Sequence, residues 1–148
     1  MFFPGGRKRV LRLNSRDLAG VLREIVDALC LTGRLPMESS SAALKALIDR
    51  EEISSTGIGG GVAIPHARVD VVPDIMGLIA VSKEGIDFKA IDGQPVYVVL
   101  LVLSPKGGGS PSAHLNTLAN ISQFVRGENF KAFMNRVREN DNDYEDFT

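Results

Sequence analysis

With a single cysteine, Cys30, this 148-residue chain cannot close an internal disulfide. Such sparing use of thiols fits a reducing compartment. Cys30 also falls within an apolar helical pattern, which reads as a buried thiol rather than a reactive one. No apolar run reaches roughly 18 residues, so no membrane-spanning helix is expected. The opening Met-Phe-Phe-Pro-Gly-Gly-Arg-Lys-Arg lacks the charged-then-apolar order of a signal peptide, and a cytoplasmic protein without membrane insertion is expected. Excess charge is nearly absent too, the formal net being -1. Nothing in that balance calls for nucleic acid. The charge is nonetheless uneven, because Glu139, Asp141, Asp143, Glu145 and Asp146 crowd the C-terminal end. Without them, 17 basic residues face 13 acidic ones, a mildly cationic body suited to an acidic partner or a phosphoryl group. Histidine is scarce, with His66 and His114 alone. No cysteine or closely spaced carboxylate accompanies them, so no metal site is predicted and no cofactor is called for.

The length suits one domain over 1–148 with a real core, the two ends (1–9 and 139–148) being loosely ordered. Val10-Leu11-Arg12-Leu13 reads as a short strand. Ser15 is an N-cap candidate for a helix over 16–31, whose Leu18, Val21, Leu22, Ile25, Val26 and Leu29 recur every three or four residues. Gly33 closes that helix in a left-handed conformation. A second helix is expected over 39–50, burying Leu44, Leu47 and Ile48 and ending at Arg50. Residues 69–74 read as a connection and 75–82 as a strand. Lys83-Glu84-Gly85 reads as a turn into a short Ile86-Asp87-Phe88 strand, a hairpin. The nearly unbroken apolar run over 96–103 predicts a central strand covered on both faces. Residues 104–112 read as a loop, followed by a Ser112-capped helix over 113–125 and a last helix over 128–138. Alternating strands and helices predict an α/β fold, a mixed sheet of about five strands sandwiched by helices on both faces.

Chemistry concentrates in Ser54–Arg68, where four glycines (Gly57, Gly59, Gly60, Gly61) precede Val62-Ala63-Ile64-Pro65 and then His66. Glycine lets backbone N–H groups approach an anion without a Cβ in the way, and proline delivers the next residue from a stiff backbone. An imidazole beside an anion-sized loop suggests phosphoryl chemistry. No Lys-Ser/Thr follows the glycines, so the stretch is not a P-loop, and a short apolar strand follows where a dinucleotide fingerprint would open a helix. No Gly-x-Ser-x-Gly elbow supports a hydrolase. In the phosphoryl reading His66 is the nucleophile, Arg50 a charged fork for phosphoryl oxygens, and His114 a second hydrogen-bond donor. Backbone groups around Ser55, Thr56, Gly57 and Gly59 complete a cradle. The bland readings stand beside these. Isolated histidines are often plain core or surface residues, arginine at a helix C-terminus is favoured by the dipole, and glycine-rich loops often only turn.

The run Arg50-Glu51-Glu52-Ile53-Ser54-Ser55-Thr56-Gly57-Ile58-Gly59-Gly60-Gly61-Val62-Ala63-Ile64-Pro65-His66 resembles the signature of enzyme IIA domains of the bacterial phosphoenolpyruvate-dependent sugar phosphotransferase system, fructose/mannitol type. That branch includes the nitrogen-regulatory IIA proteins. Two later segments agree in order, Ile86-Asp87-Phe88-Lys89-Ala90-Ile91-Asp92-Gly93-Gln94-Pro95-Val96 and His114-Leu115-Asn116-Thr117-Leu118-Ala119. Ala67 stands where the family often has glycine. The resemblance implies a phosphotransferase in which His66 is phosphorylated by a histidine-containing phosphocarrier protein. The group then passes to a IIB component, usually on a cysteine. It also implies His114 as the second active-site histidine and Arg50 as the arginine near the phosphoryl group. A different role is implied by the nitrogen-type members, in which phosphorylation switches binding to regulatory target proteins.

Overall fold

The computed structural model describes residues 10–70, 72–106 and 111–139. What was expected of residues 1–9, of Gly107 to Ser110 and of the tail from 140 onward lies outside them. A short strand β1 (Val10–Arg12) leads into helix α1 (Leu18–Leu31). The cap of α1 is Asp17, whose carboxylate accepts the Gly20 N–H at 2.7 Å, and not Ser15. Ser15 is otherwise occupied, its N–H donating to Glu24 together with that of Asn14. The expected stripe is buried apart from Leu18, which is partly exposed: Val21, Leu22, Ile25, Val26 and Leu29 are all sealed. At the other end Gly33 takes φ +78, and Arg34 N–H closes on the Leu29 carbonyl.

A 3-10 turn at Met37–Ser39 starts helix α2 (Ser40–Ile53), which runs about a turn beyond the expected end at Arg50. The glycine stretch is a small β-hairpin, β2 (Gly57–Gly59) against β3 (Val62–Ala63), with positive φ at Gly59, Gly60 and Gly61. Next comes β4 (His66–Val69), whose last residue opens the stretch expected as a connection. At four residues it is too short for a clear alternation signal. Strand β5 (Met76–Ile86) runs straight through Lys83-Glu84-Gly85, so the hairpin expected there does not form. Ile86 instead pairs with Val96, and the register shift between Val81 and Ile86 absorbs Gly85 (φ +86) as an irregularity of the strand. The true partner across a turn is β6 (Val96–Pro105), two residues longer than expected. Helix α3 (Pro111–Phe124) begins before Ser112, which lies inside it and not at its cap. Helix α4 (Glu128–Arg138) has the predicted bounds.

The sheet is mixed, in the order β1-β5-β6-β3-β2, with β4 also on β6. Strand β6 is its axis: β5 lies antiparallel along one edge, while β3 and then β4 lie parallel along the other. Side chains of β6 alternate between two cores, as pleating requires. Val99, Leu101 and Leu103 pack with Leu22, Ile25 and Leu47 of α1 and α2. Val98, Leu100 and Val102 pack with Ile121 of α3 and Phe130, Phe133 and Val137 of α4. Burying each such side chain contributes about 1.5–3 kcal/mol. Helices therefore cover both faces of a six-stranded sheet, the expected architecture with one strand more. Among the described residues no helix is long and apolar enough to cross a membrane.

Candidate functional site

Strand β4 pairs in parallel with the C-terminal half of β6, His66 opposite Val102 and Arg68 opposite Ser104. Ala67 and Val69 turn into the core beneath α1 and α2. By the two-residue period of a strand, His66 and Arg68 face the opposite side, over which α3 passes. The Pro65 carbonyl accepts Val102 N–H at 2.9 Å, which pins the residue before the histidine to the central strand.

His66 is half-buried, and its Nδ1 lies 2.7 Å from the Ile64 carbonyl. A carbonyl oxygen only accepts, so Nδ1 carries the proton and Nε2 holds the lone pair. Burial, opposed by the Ile64 bond and joined by the charge of Arg50, pushes the His66 pKa below the ordinary 6.5. The ring is thus neutral near pH 7. His114 lies on the first turns of α3, 5.7 Å from His66 between ring centroids and tilted by 49°. Only 8% of it is exposed, and its Nδ1 meets the Ser104 hydroxyl at 2.6 Å. Burial first, then the neighbouring His66 and Arg68, lower its pKa as well. Arg50, in the last turn of α2, donates from Nη1 to the Ser54 carbonyl at 2.8 Å, and its charge is felt at His66. The three residues singled out in the sequence therefore converge on one end of the sheet.

Part of the expected backbone cradle is already engaged. Thr56 N–H donates to Glu51, Gly57 N–H to the Ser55 hydroxyl, and Gly60 N–H to Asp92. The Ser55 hydroxyl itself donates to the Phe88 carbonyl. A Cβ on Gly59 would stand 3.3 Å from an Asp92 carboxylate oxygen, a poor neighbour for an anion. Of the expected phosphate cradle at Ser55, Thr56, Gly57 and Gly59, the Thr56 and Gly57 N–H groups and the Ser55 hydroxyl are thus already bonded within a braced hairpin. Glycine is required there by conformation and contact. Gly61 sits at φ +83 with its carbonyl receiving Tyr97 and Val98 N–H, and a Cβ on Gly57 would lie 2.7 Å from that of Ala90.

Four contributors escape the sequence reading: Glu51, Asp92, Arg68 and Ser104. Arg68 alone carries a usable signal, since two residues beyond His66 in a strand is the same face. Its Nη2 donates to the Lys106 carbonyl at 3.1 Å. Ser104 ends an apolar run and has no signature of its own.

The family profile of the phosphoenolpyruvate-dependent sugar phosphotransferase system, EIIA 2, matches residues 8–145. The chain belongs to that EIIA family. A nitrogen regulatory protein of Bradyrhizobium diazoefficiens is 39% identical over 119 residues, 80% of this chain and 72% of the relative. A fructose-specific EIIA component of the phosphotransferase system from Haloferax volcanii is 36% identical over 112 residues, 76% of this chain and 70% of the relative. In fold, the chain resembles enzyme IIA mannitol of Escherichia coli, solved in complex with phosphorylated enzyme IIB mannitol. The TM-score is 0.72 at 16% identity, over 97% of this chain and 94% of that one. EIIA proteins are phosphotransfer proteins, and a general phosphotransferase role follows from membership.

Proposed function

We propose that this chain carries a phosphoryl group on Nε2 of His66. It takes the group from a histidine-containing phosphocarrier protein and gives it to the IIB component of a fructose- or mannitol-type sugar transport system. The observation that carries the reading is the Nδ1–H bond to Ile64, which turns a neutral imidazole lone pair on Nε2 toward a half-open face beside a second histidine. In the uptake step, that lone pair attacks phosphorus. The N–P bond of the donor phosphohistidine breaks, and its electron pair returns to the donor imidazole. In the second step a cysteine thiolate of the IIB component attacks, and the His66 N–P bond gives its pair back to Nε2. Little else is asked of the protein than charge and position around the equatorial oxygens. Arg50 supplies a guanidinium and His114 an N–H. Ile53, three residues after Arg50, and Leu115, next to His114, are exposed at 79% and 64% and offer apolar surface to the partner proteins. A cytoplasmic setting agrees with the lone cysteine and with these partners.

A second reading, in which phosphorylation switches binding to a regulatory target protein, is favoured by the 39% identity to a nitrogen regulatory protein. Nearly two negative charges arriving at His66 would change what that face can dock.

Incubation with phosphoenolpyruvate, enzyme I and the phosphocarrier protein, followed by intact mass at alkaline pH, tests the proposal. Wild type should gain one acid-labile phosphoryl group and His66→Ala none. An unmodified wild type overturns both readings. Adding a IIB component then separates them, since only the transport reading expects the group to leave this chain for IIB.

A further inference from the structure

Ser104 lies near the end of β6, opposite Arg68 of β4, with 2% of its surface exposed. Its hydroxyl touches His114 Nδ1 at 2.6 Å and has no other hydrogen-bond partner among the described residues. The direction of that bond follows from what each choice leaves behind. Were Nδ1–H to donate, the serine proton would be buried without an acceptor, the costlier kind of unsatisfied group. With the hydroxyl donating, Nδ1 is satisfied as an acceptor and the single proton of the neutral ring falls to Nε2. His114 Nε2 has no hydrogen-bond partner within the described residues either, but it is not among the sealed polar atoms, so water can accept its proton, whereas Ser104 is sealed. The ring is centred 5.7 Å from His66. His66 reaches the complementary state through Ile64, with its proton on Nδ1 and its lone pair on Nε2. The two imidazoles are therefore wired oppositely, one as nucleophile and one as donor.

We propose that Ser104 is a positioning residue whose hydroxyl donates to Nδ1 of His114, holding the ring's proton on Nε2 as a donor to the phosphoryl group on His66. This rests on His66 being the phosphoryl carrier. Without the hydroxyl, His114 is free to adopt the Nδ1–H tautomer, and its Nε2 lone pair would then face phosphoryl oxygens and repel them. A strand residue with no contact to substrate would thus set whether the second histidine helps or hinders transfer. Ser104→Ala removes one oxygen and adds no atom to a sealed position, so folding should survive it.

Nitrogen-15 NMR of histidine-labelled protein, without any phosphoryl donor, reads the tautomer through its two-bond couplings to ring protons. His114→Ala identifies the signals by their loss. Wild type should carry the His114 proton on Nε2, Ser104→Ala should shift population to Nδ1–H, and Ser104→Thr should keep the wild-type state. Transfer from the phosphorylated chain to a IIB component should slow about tenfold in Ser104→Ala, the loss expected for one hydrogen bond to a charged group, with recovery in Ser104→Thr. A proton on Nδ1 in wild type, an unchanged tautomer in Ser104→Ala, or an altered tautomer with unaltered transfer each overturns the inference. The wild-type spectrum needs no variant and no phosphoryl group, so failure of the tautomer assignment and failure of the carrier reading show up in different experiments.

Discussion

Replacing Glu51 by alanine cuts the chain of contacts that holds His66 in place. The Glu51 carboxylate accepts from Thr56 twice, from N–H at 2.8 Å and from Oγ at 2.7 Å. Thr56 is 4% exposed, and its carbonyl receives Ile64 N–H at 3.0 Å. Ile64 in turn offers the carbonyl that orients the His66 ring. Each hydrogen bond to a charged acceptor contributes about 1.5–3 kcal/mol. Glu51 is half-exposed, so water recovers part of that, and the loss for Glu51→Ala comes to about 2–4 kcal/mol. At about 4 °C per kcal/mol for a chain of this length, Tm falls by roughly 8–15 °C. Glu51→Gln keeps an acceptor for N–H and a donor for Oγ but loses the charge, and should fall by about half as much. Urea unfolding followed by circular dichroism measures the loss, and an unchanged slope shows that the unfolded state is the same. Phosphoryl uptake at a temperature where Glu51→Ala is fully folded should also slow, because the imidazole is no longer aimed. An alanine variant within about 0.5 kcal/mol of wild type, at the level of an ordinary surface substitution, refutes the reasoning.

Both histidines have folded-state pKa values below the ordinary 6.5, so the unfolded chain binds more protons than the native one as pH falls through that value. Stability should therefore decline on acidification from above 6.5 until the native values are passed, and the decline should flatten in His66→Ala combined with His114→Ala, measured by urea midpoints across pH. Phosphoryl uptake should fall with protonation of His66 at a midpoint below 6.5, a rate profile centred above it being the contrary result. Gly57→Ala drives a Cβ to 2.7 Å from Ala90 and should cost about 1–3 kcal/mol in urea unfolding. Gly60→Ala, whose added methyl meets nothing within 4 Å, should lose only what its φ of +66 imposes. Arg50→Ala and His114→Ala should still accept the phosphoryl group but pass it on more slowly, about tenfold to a hundredfold each, in single-turnover transfer to IIB; undiminished rates would remove them from the mechanism.

Long, strongly patterned elements are legible in the sequence. The stripe of α1, the bounds of α4 and the buried course of β6 all follow from spacing and composition, because each buries a whole face. Short elements are not. Strand β4 offers four residues, and the irregularity at Gly85 imitates a turn in one dimension while the register with β6 carries the strand through it. At the site, Arg50, His66 and His114 stand out as residue types, but the approach of the two histidines is a product of β4 lying on β6 beneath α3, and Arg50 arrives from the end of α2. The hairpin shows the limit of a motif. Glycines that look in sequence like an anion cradle also satisfy positive φ and tight contacts, and Glu51 and Asp92 already hold the Thr56 and Gly60 N–H groups. Partners distant in sequence, such as Ser104 for His114, leave no mark on a linear pattern.

Phosphorylated protein labelled with nitrogen-15 in its histidines offers the most direct measurement. Phosphorus–nitrogen coupling identifies the ring atom that bears the group. The Nδ1–H bond to Ile64 predicts a single phosphorylated species, at Nε2 of His66. Phosphorus on Nδ1 of that ring, or on any other residue, would contradict the account at its root.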